Sequence, residues 1–154
     1  MDGKKLAIMC LIIMAIGIVL FIYYANDNSH NNSKISSVCI KDKCFNVEIA
    51  DSFNERQTGL MNRTYMNGDK GMLFVFDNSG RYSFWMKDTL ISLDIIWIDE
   101  NGKAVFIKDN AMPCLNETCE TFTNKEDAKY VLELNGGTAD VLRIKEGDKV
   151  EFKS

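Results

Sequence analysis

The stretch GMLFVFDNSGRYSFWMKDTLISLDIIWID, Gly71 to Asp99, decides the fold of this chain. Its apolar runs are short, separated by turn-forming residues and rich in aromatic and branched side chains, which is typical of β-strands. We expect strands over Gly71 to Phe76, Tyr82 to Met86 and Leu93 to Asp99. The first two would form a hairpin around a loop from Asp77 to Arg81.

Hairpins and short helices are predicted on both sides of this stretch. Val38 to Ala50 reads as a hairpin, and Leu93 to Lys108 reads as another that turns at Asn101-Gly102. Within Asp51 to Asn62 a short helix is expected that ends near Gly59, and a second short helix is expected over Thr138 to Ile144. The sequence thus predicts an α+β fold: a barrel-like, mostly antiparallel sheet of hairpins with two short helices, preceded by one transmembrane helix.

The N-terminal segment from Leu6 to Ala25 is continuously apolar over about 20 residues, enough to span a bilayer as a helix. Lys4 and Lys5 precede it, so the positive-inside rule predicts a single-pass protein of the cell membrane with a cytoplasmic N-terminus. We therefore expect an anchor at residues 1–25, a flexible Asn/Ser-rich tether at 26–36 and one extracytoplasmic domain at 37–154.

A cleaved signal peptide is the alternative interpretation of this segment. It needs small residues before the cut, whereas Tyr23 stands three residues before Asn26. Lipidation at Cys10 is a second alternative, but Met9 precedes that cysteine where a small residue is wanted. The uncleaved anchor is therefore the preferred prediction.

Four cysteines form two pairs with identical spacing, Cys39 with Cys44 and Cys114 with Cys119. A two-residue turn at Lys41-Asp42 would place Cys39 opposite Cys44, with a Cα–Cα separation that a disulfide accepts. We predict two local disulfides, which suit an oxidising compartment. A zinc site is the alternative, although structural zinc sites usually use more closely spaced cysteines.

Composition excludes several classes of function. Acidic and basic residues are interspersed at a formal net charge of −4, and this gives no basic stripe for nucleic acid. The single histidine, His30, lies in the predicted tether, so the domain has no imidazole for a Ser-His or Cys-His nucleophile. No phosphate-binding loop of the required spacing precedes a predicted helix.

Several ordered motifs resemble the domain of unknown function 192 family over about Val47 to Phe152. The motifs that carry the resemblance are Gly59-Leu60-Met61, Gly71-Met72-Leu73-Phe74, Phe84-Trp85-Met86, Leu93-Asp94-Ile95-Ile96, Leu132 to Gly137 and Gly147-Asp148. The family pattern also places a basic residue at Arg56. The resemblance implies no activity, because the family has none established that could be transferred.

Methionines in the predicted hairpin suggest one kind of chemistry. Met72 would face Met86 across the strands, and Met61 is a plausible third neighbour. Thioether sulfurs are soft ligands that bind Cu(I), and this chemistry suits a protein outside the cytoplasm. The plainer interpretation is core packing, because Met fills gaps well beside aromatic rings.

Asp94 is unusual because it lies in an apolar strand, where a buried carboxylate needs a partner. Candidate partners are Arg56, Arg63 and Lys87, and the predicted turn would place Asp109 opposite. Asp94 could form a structural ion pair, line a ligand-binding pocket, or act with Asp109 as an acid–base pair or a site for a hard cation.

The leading functional hypothesis is a membrane-anchored extracytoplasmic binding module for a small ligand or an envelope component, without nucleic acid as a partner. Its site would contain Arg56, Met61, Met86 and Asp94. The alternatives are a Cu(I)-binding protein using Met61, Met72 and Met86, and a carboxylate-based enzyme acting on envelope polysaccharide. The leading hypothesis requires no cofactor.

Overall fold

The computed structural model describes residues 12–19 and 35–154 of the chain. The chain divides into two compact units, Met1–Ser33 and Lys34–Ser154. The second unit contains all the strands of the described residues. Its elements are β1 (Ser37–Ile40), β2 (Lys43–Ala50), α1 (Phe53–Thr58), β3 (Lys70–Gly80), β4 (Ser83–Trp85), β5 (Leu93–Ile98), β6 (Ala104–Ala111), β7 (Thr121–Thr123), β8 (Ala128–Asn135), α2 (Thr138–Val141) and β9 (Val150–Lys153).

Seven strands form one sheet that curls into a half-barrel, in the order β6-β5-β8-β3-β2-β1-β9. Neighbouring strands are antiparallel except for β2 and β3, which are parallel. β4 and β7 form a separate two-stranded antiparallel sheet.

The fold is mostly β, and the predicted α+β class is wrong. α1 has six residues and buries none of them, and α2 has only four residues. α1 ends before Gly59, as predicted, and Gly59 caps it with φ +47°. Two helices this short cannot form the packed helical layer that the α+β class requires.

The predicted hairpin of the first two strands, Gly71 to Phe76 and Tyr82 to Met86, is also wrong. β3 continues to Gly80 and is hydrogen-bonded to β2 on one edge and to β8 on the other. With both edges occupied, β3 has no edge free for β4, which pairs with β7 instead. Phe76 of β3 nevertheless stacks on Tyr82, just before β4, with ring centroids 3.5 Å apart.

The prediction of a membrane-spanning helix at residues 6–25 is wrong for the described part of the chain. Residues 12–19 are helical. Across the described residues, no helix is both long and apolar enough to cross a membrane. Residues 6–11, 20–25 and 26–34 lie outside the described residues. The predicted single-pass membrane location therefore has no support from the structure.

Side chains alternate between the two faces of the large sheet and build two apolar clusters. One face carries a cluster that includes Leu73, Ile96 and Leu132. The other carries Phe74, Trp97 and their neighbours. Because both faces are covered, β5 is buried along its whole length. The cavity described below lies on the Phe74 face.

Candidate functional site

A cavity of about 350 Å³ lies where α1, the middle of β3, β4 and β8 approach one another. Its volume is in the range of small-molecule sites. Aromatic side chains form much of its wall: Phe53, Phe74, Phe76, Tyr82, Phe84 and Trp85.

Contacts between the rings fix the aromatic wall in place. Phe84 packs edge-on against Phe74 at a centroid distance of 4.8 Å and against Trp97 at 5.5 Å. The Trp97 indole Nε1 donates a 2.8 Å hydrogen bond to the backbone carbonyl of Tyr82. The fully buried Trp97 thus ties the segment before β4 to the main sheet.

The turn after α1 brings a second wall close to Phe74. Gly59 has φ +47°, and a Cβ built there would lie 3.2 Å from Phe74 Cζ. A larger residue would be strained in its backbone and would crowd the ring. Glycine at this position therefore allows the chain to pass directly over the aromatic wall.

Glu133 is the acid of the cavity, and it has no counter-ion in the described structure. It lies on β8, opposite Met72 on β3 and Ile95 on β5, so its cross-strand neighbours are apolar. The residue is 4% exposed, and its Oε2 has no hydrogen-bond partner among the described residues. Burial raises the pKa of Glu133 to about 8, so most of the carboxyl groups carry a proton at pH 7.

Two cations also line the cavity, Arg56 from α1 and Lys87 from the segment after β4. Arg56 Nη1 donates to the backbone carbonyls of Asp51 and Val75, the latter at 2.9 Å. Its guanidinium carbon lies 5.2 Å from the centre of the Phe76 ring. Arg56 therefore fastens α1 to β3, whereas the ammonium of Lys87 has an acid, Asp88, only at 4.0 Å.

The predicted methionines lie at two depths. Met61 lines the cavity and is partly exposed. Met72 and Met86 are 6% and 2% exposed and belong to the apolar cluster on the Phe74 face, together with Met66. Their surroundings match core packing, and the copper site stays a prediction.

Asp94 lies apart from the residues that line the cavity. It is fully buried, and its carboxylate accepts hydrogen bonds from the backbone N–H groups of Asn110, Gly137 and Ala139 at 2.7, 3.1 and 2.6 Å. These donors belong to the end of β6 and the start of α2. Asp94 thus joins three chain segments.

None of the predicted basic partners contacts Asp94 in the described structure. Arg63 pairs with Glu48 instead. The predicted register with Asp109 is interrupted by an irregularity in the β5–β6 pairing between Leu93 and Ile95, and Asp109 is exposed. Of the four predicted site residues, the cavity lining includes Arg56 and Met61 but neither Met86 nor Asp94.

Sequence reasoning missed Glu133, although the signal that identified Asp94 applies to it. Both are acids within apolar strands, and Glu133 lies in Leu132 to Gly137, one of the motifs that carry the family resemblance. Thr89 is 5% exposed and also lines the cavity, but nothing in the sequence marks this threonine as unusual.

A disulfide-closed loop is attached to the edge of the cavity. Cys114 and Cys119 form a disulfide, as do Cys39 and Cys44 in the β1–β2 hairpin. The backbone N–H of Cys114 donates to the carbonyl of Met86, and the N–H of Asp88 donates to the carbonyl of Cys114. These bonds hold the segment that carries Lys87.

A family profile and known relatives match this chain. The DUF192 profile, described as "Uncharacterized ACR", matches residues 36–152. A UPF0127 protein of Thermococcus gammatolerans is 32% identical over 108 residues, which cover 69% of this chain and 65% of that relative. A UPF0127 protein of Pyrococcus abyssi is 33% identical over 111 residues, which cover 69% and 85% of the two chains.

A crystal structure of a protein of unknown function from Novosphingobium aromaticivorans is similar to this chain. The TM-score is 0.71 at 34% identity, covering 79% of this chain and 89% of that one. The matched part of this chain spans slightly less than two thirds of the length of the Thermococcus relative.

Proposed function

This chain belongs to the DUF192 family, as the resemblance predicted, and because that family is described only as uncharacterised, we propose a function from the cavity itself. The domain is a binding module for a small organic molecule, which enters the aromatic cavity and contacts Glu133. This proposal keeps the binding function predicted from the sequence but moves its centre from Asp94 to Glu133.

The observation that carries this proposal is the unpartnered Oε2 of Glu133. A buried polar atom without a partner costs about 1–3 kcal/mol, so most proteins satisfy or remove it. A core residue at this position would be more stable as Leu or Met, because its cross-strand neighbours are Met72 and Ile95. An acid here is explained if a bound molecule supplies the missing partner.

The shape of the cavity supports the same proposal. Binding sites for small molecules are usually concave, mostly apolar and supplied with a few polar groups that orient the ligand. The aromatic rings offer stacking surfaces, and the polar groups among them include Glu133, Lys87 and Thr89.

Two other functions stay predictions. A copper site would need an opening to Met72 and Met86, which are buried in an apolar cluster. A polysaccharide-cleaving pair would need a free carboxylate at Asp94, whose two oxygens both accept backbone hydrogen bonds. Neither arrangement favours these functions over ligand binding.

The test is a probe panel observed by amide NMR of the full chain. The panel contains short alkylamines, short carboxylates, indole and monosaccharides. We expect at least one class to shift amide signals of cavity residues, and Ser83→Trp, which fills the mouth of the cavity, to abolish those shifts. Ser79→Trp is the matched control, because Ser79 is an equally exposed strand serine outside the cavity lining.

The opposite results would contradict the proposal. If no probe class shifts signals of the cavity, or if Ser83→Trp leaves every shift unchanged, the cavity is not a binding site.

A further inference from the structure

We propose that the cavity binds an amine that also carries an anionic group, with the ammonium group at Glu133 and the anionic group at Lys87. This inference rests on the binding function proposed above and names the chemical class of the ligand.

The inner end of the cavity favours an ammonium group. When Glu133 is ionised, its Oε2 needs a hydrogen-bond donor, and neither Met72 nor Ile95 across the sheet can supply one from its side chain. A donor that is also positively charged forms the stronger bond, since the attraction is weakly screened in a buried site. The rings of Phe74 and Phe84 add a favourable surface for a cation.

The remaining charges of the lining favour an anionic group on the same molecule. Glu133 is the only acid among the described lining residues, whereas Arg56 and Lys87 are both cations. Arg56 is already bound to two backbone carbonyls. Lys87 has only the 4.0 Å contact with Asp88, so its ammonium can pair with an incoming anion. A plain amine would leave Lys87 with only its 4.0 Å contact to Asp88.

Binding of this kind would be linked to pH through Glu133. The titratable groups that share the cavity with it are Arg56 from α1, Tyr82 from the segment between β3 and β4, and Lys87 from the segment after β4. Burial raises the pKa of Tyr82, and the residues opposite Glu133 on β3 and β5 do not titrate. Below about pH 8 the ammonium must therefore displace the proton of Glu133.

The expected effect follows from the fraction of chains that carry an ionised Glu133. The apparent affinity for an ammonium group is reduced by that fraction, so it should rise about tenfold per pH unit between about pH 6 and pH 8. Above about pH 8 the affinity should level off. A neutral ligand that accepts the proton of Glu133 would show the opposite trend.

The experiment compares matched probes by calorimetry on the full chain. The ω-amino acids 4-aminobutanoate, 6-aminohexanoate and 8-aminooctanoate test the span between the two charges, while hexylamine and hexanoate carry one charge each. We expect at least one amino acid to bind at least tenfold more tightly than hexylamine and hexanoate. Glu133→Gln should remove its pH dependence, and Lys87→Met should remove its advantage over hexylamine. Lys125→Met, an exposed lysine outside the lining, is the control.

Three outcomes would overturn this inference. Hexanoate or a monosaccharide binding in the cavity, with no amino acid binding there, would reject the ligand class while leaving the binding function intact. Affinity for the amino acid that falls as pH rises would show that Glu133 acts as a protonated donor. Binding of no probe at all would reject the ligand class together with the function on which it rests.

Discussion

Glu133 lies directly across from Met72 in the pairing of β8 with β3, so an ionisable side chain stands beside a thioether within a buried row of the sheet. An apolar residue in place of Glu133 would pack equally well in this row. We therefore expect the acid to lower the stability of the domain.

Replacing Glu133 with methionine should stabilise the domain. The unpartnered oxygen disappears, and the new side chain matches its apolar neighbours in volume and polarity, so we expect a gain of about 1–3 kcal/mol in the free energy of unfolding at pH 7. Urea unfolding measures it. Glu146→Met, at an exposed acid, should change the free energy by less than about 0.5 kcal/mol. A loss of stability in the Glu133 variant would show that the carboxyl has an unrecognised partner.

The stability of the wild-type domain should fall as pH rises from about 5 to about 8. The pKa of Glu133 is raised to about 8 in the folded state, whereas an unfolded glutamate ionises near its ordinary value of 4.5. Between these values the folded state binds the proton more tightly, so ionisation favours unfolding by up to about 1.4 kcal/mol per pH unit. Below the unfolded pKa and above the folded one, this contribution is constant.

Urea unfolding across this pH range, for wild type and Glu133→Gln, isolates the contribution. The free energy of unfolding of the wild type should fall with pH relative to that of the variant. The variant alone should show little of this pH dependence. The ¹³C shift of the Glu133 carboxyl gives the pKa independently. A midpoint near pH 4.5 would contradict the prediction.

Asp94→Asn should destabilise the domain without altering the cavity. Asp94 accepts three hydrogen bonds from backbone N–H groups. In asparagine, the NH₂ group would replace one accepting oxygen and would face these N–H donors. We expect a loss of about 2–4 kcal/mol in the free energy of unfolding. Asp109→Asn, at an exposed site, is the control. Unchanged stability of Asp94→Asn would argue against the structural role.

Gly59→Ala should destabilise the domain and distort the aromatic wall. Its φ of +47° is unfavourable for alanine, and the new Cβ would approach Phe74 to 3.2 Å. We expect a loss of about 1–3 kcal/mol by thermal or chemical unfolding. Gly68→Ala is a matched control because it has open space around its Cα and no positive φ. Equal effects of the two substitutions would refute this account of the turn.

Local signals in the sequence predicted the elements formed by neighbouring residues. The β1–β2 hairpin and the hairpin of β5 with β6 each depend on a short turn, and both are present. The parallel pairing of β2 with β3 and the pairing of β4 with β7 join residues far apart in the chain. No turn signal encodes such contacts, so the predicted β3–β4 hairpin was wrong.

The candidate site was predicted only in part, for a related reason. The sequence identified Arg56 and Met61, and it recognised Asp94 as unusual, but the partners of Asp94 are backbone N–H groups that carry no side-chain signature. Glu133 lies between Leu132 and Leu134, which marks it as an acid in an apolar strand, but the same alternation also occurs in strands with one face in water. Only the covering of both faces of the curled sheet buries it.

The occupation of both edges of β3 has a consequence for how this family can diversify. The main sheet carries the floor of the cavity, whereas Ser83 and Trp85, on the small β4–β7 sheet, shape its outer rim. Under the proposed binding function, substitutions at the rim would therefore alter which molecules enter the cavity while the hydrophobic interior stays unchanged. We expect relatives with different preferences to vary at the positions of the rim and to share a common interior.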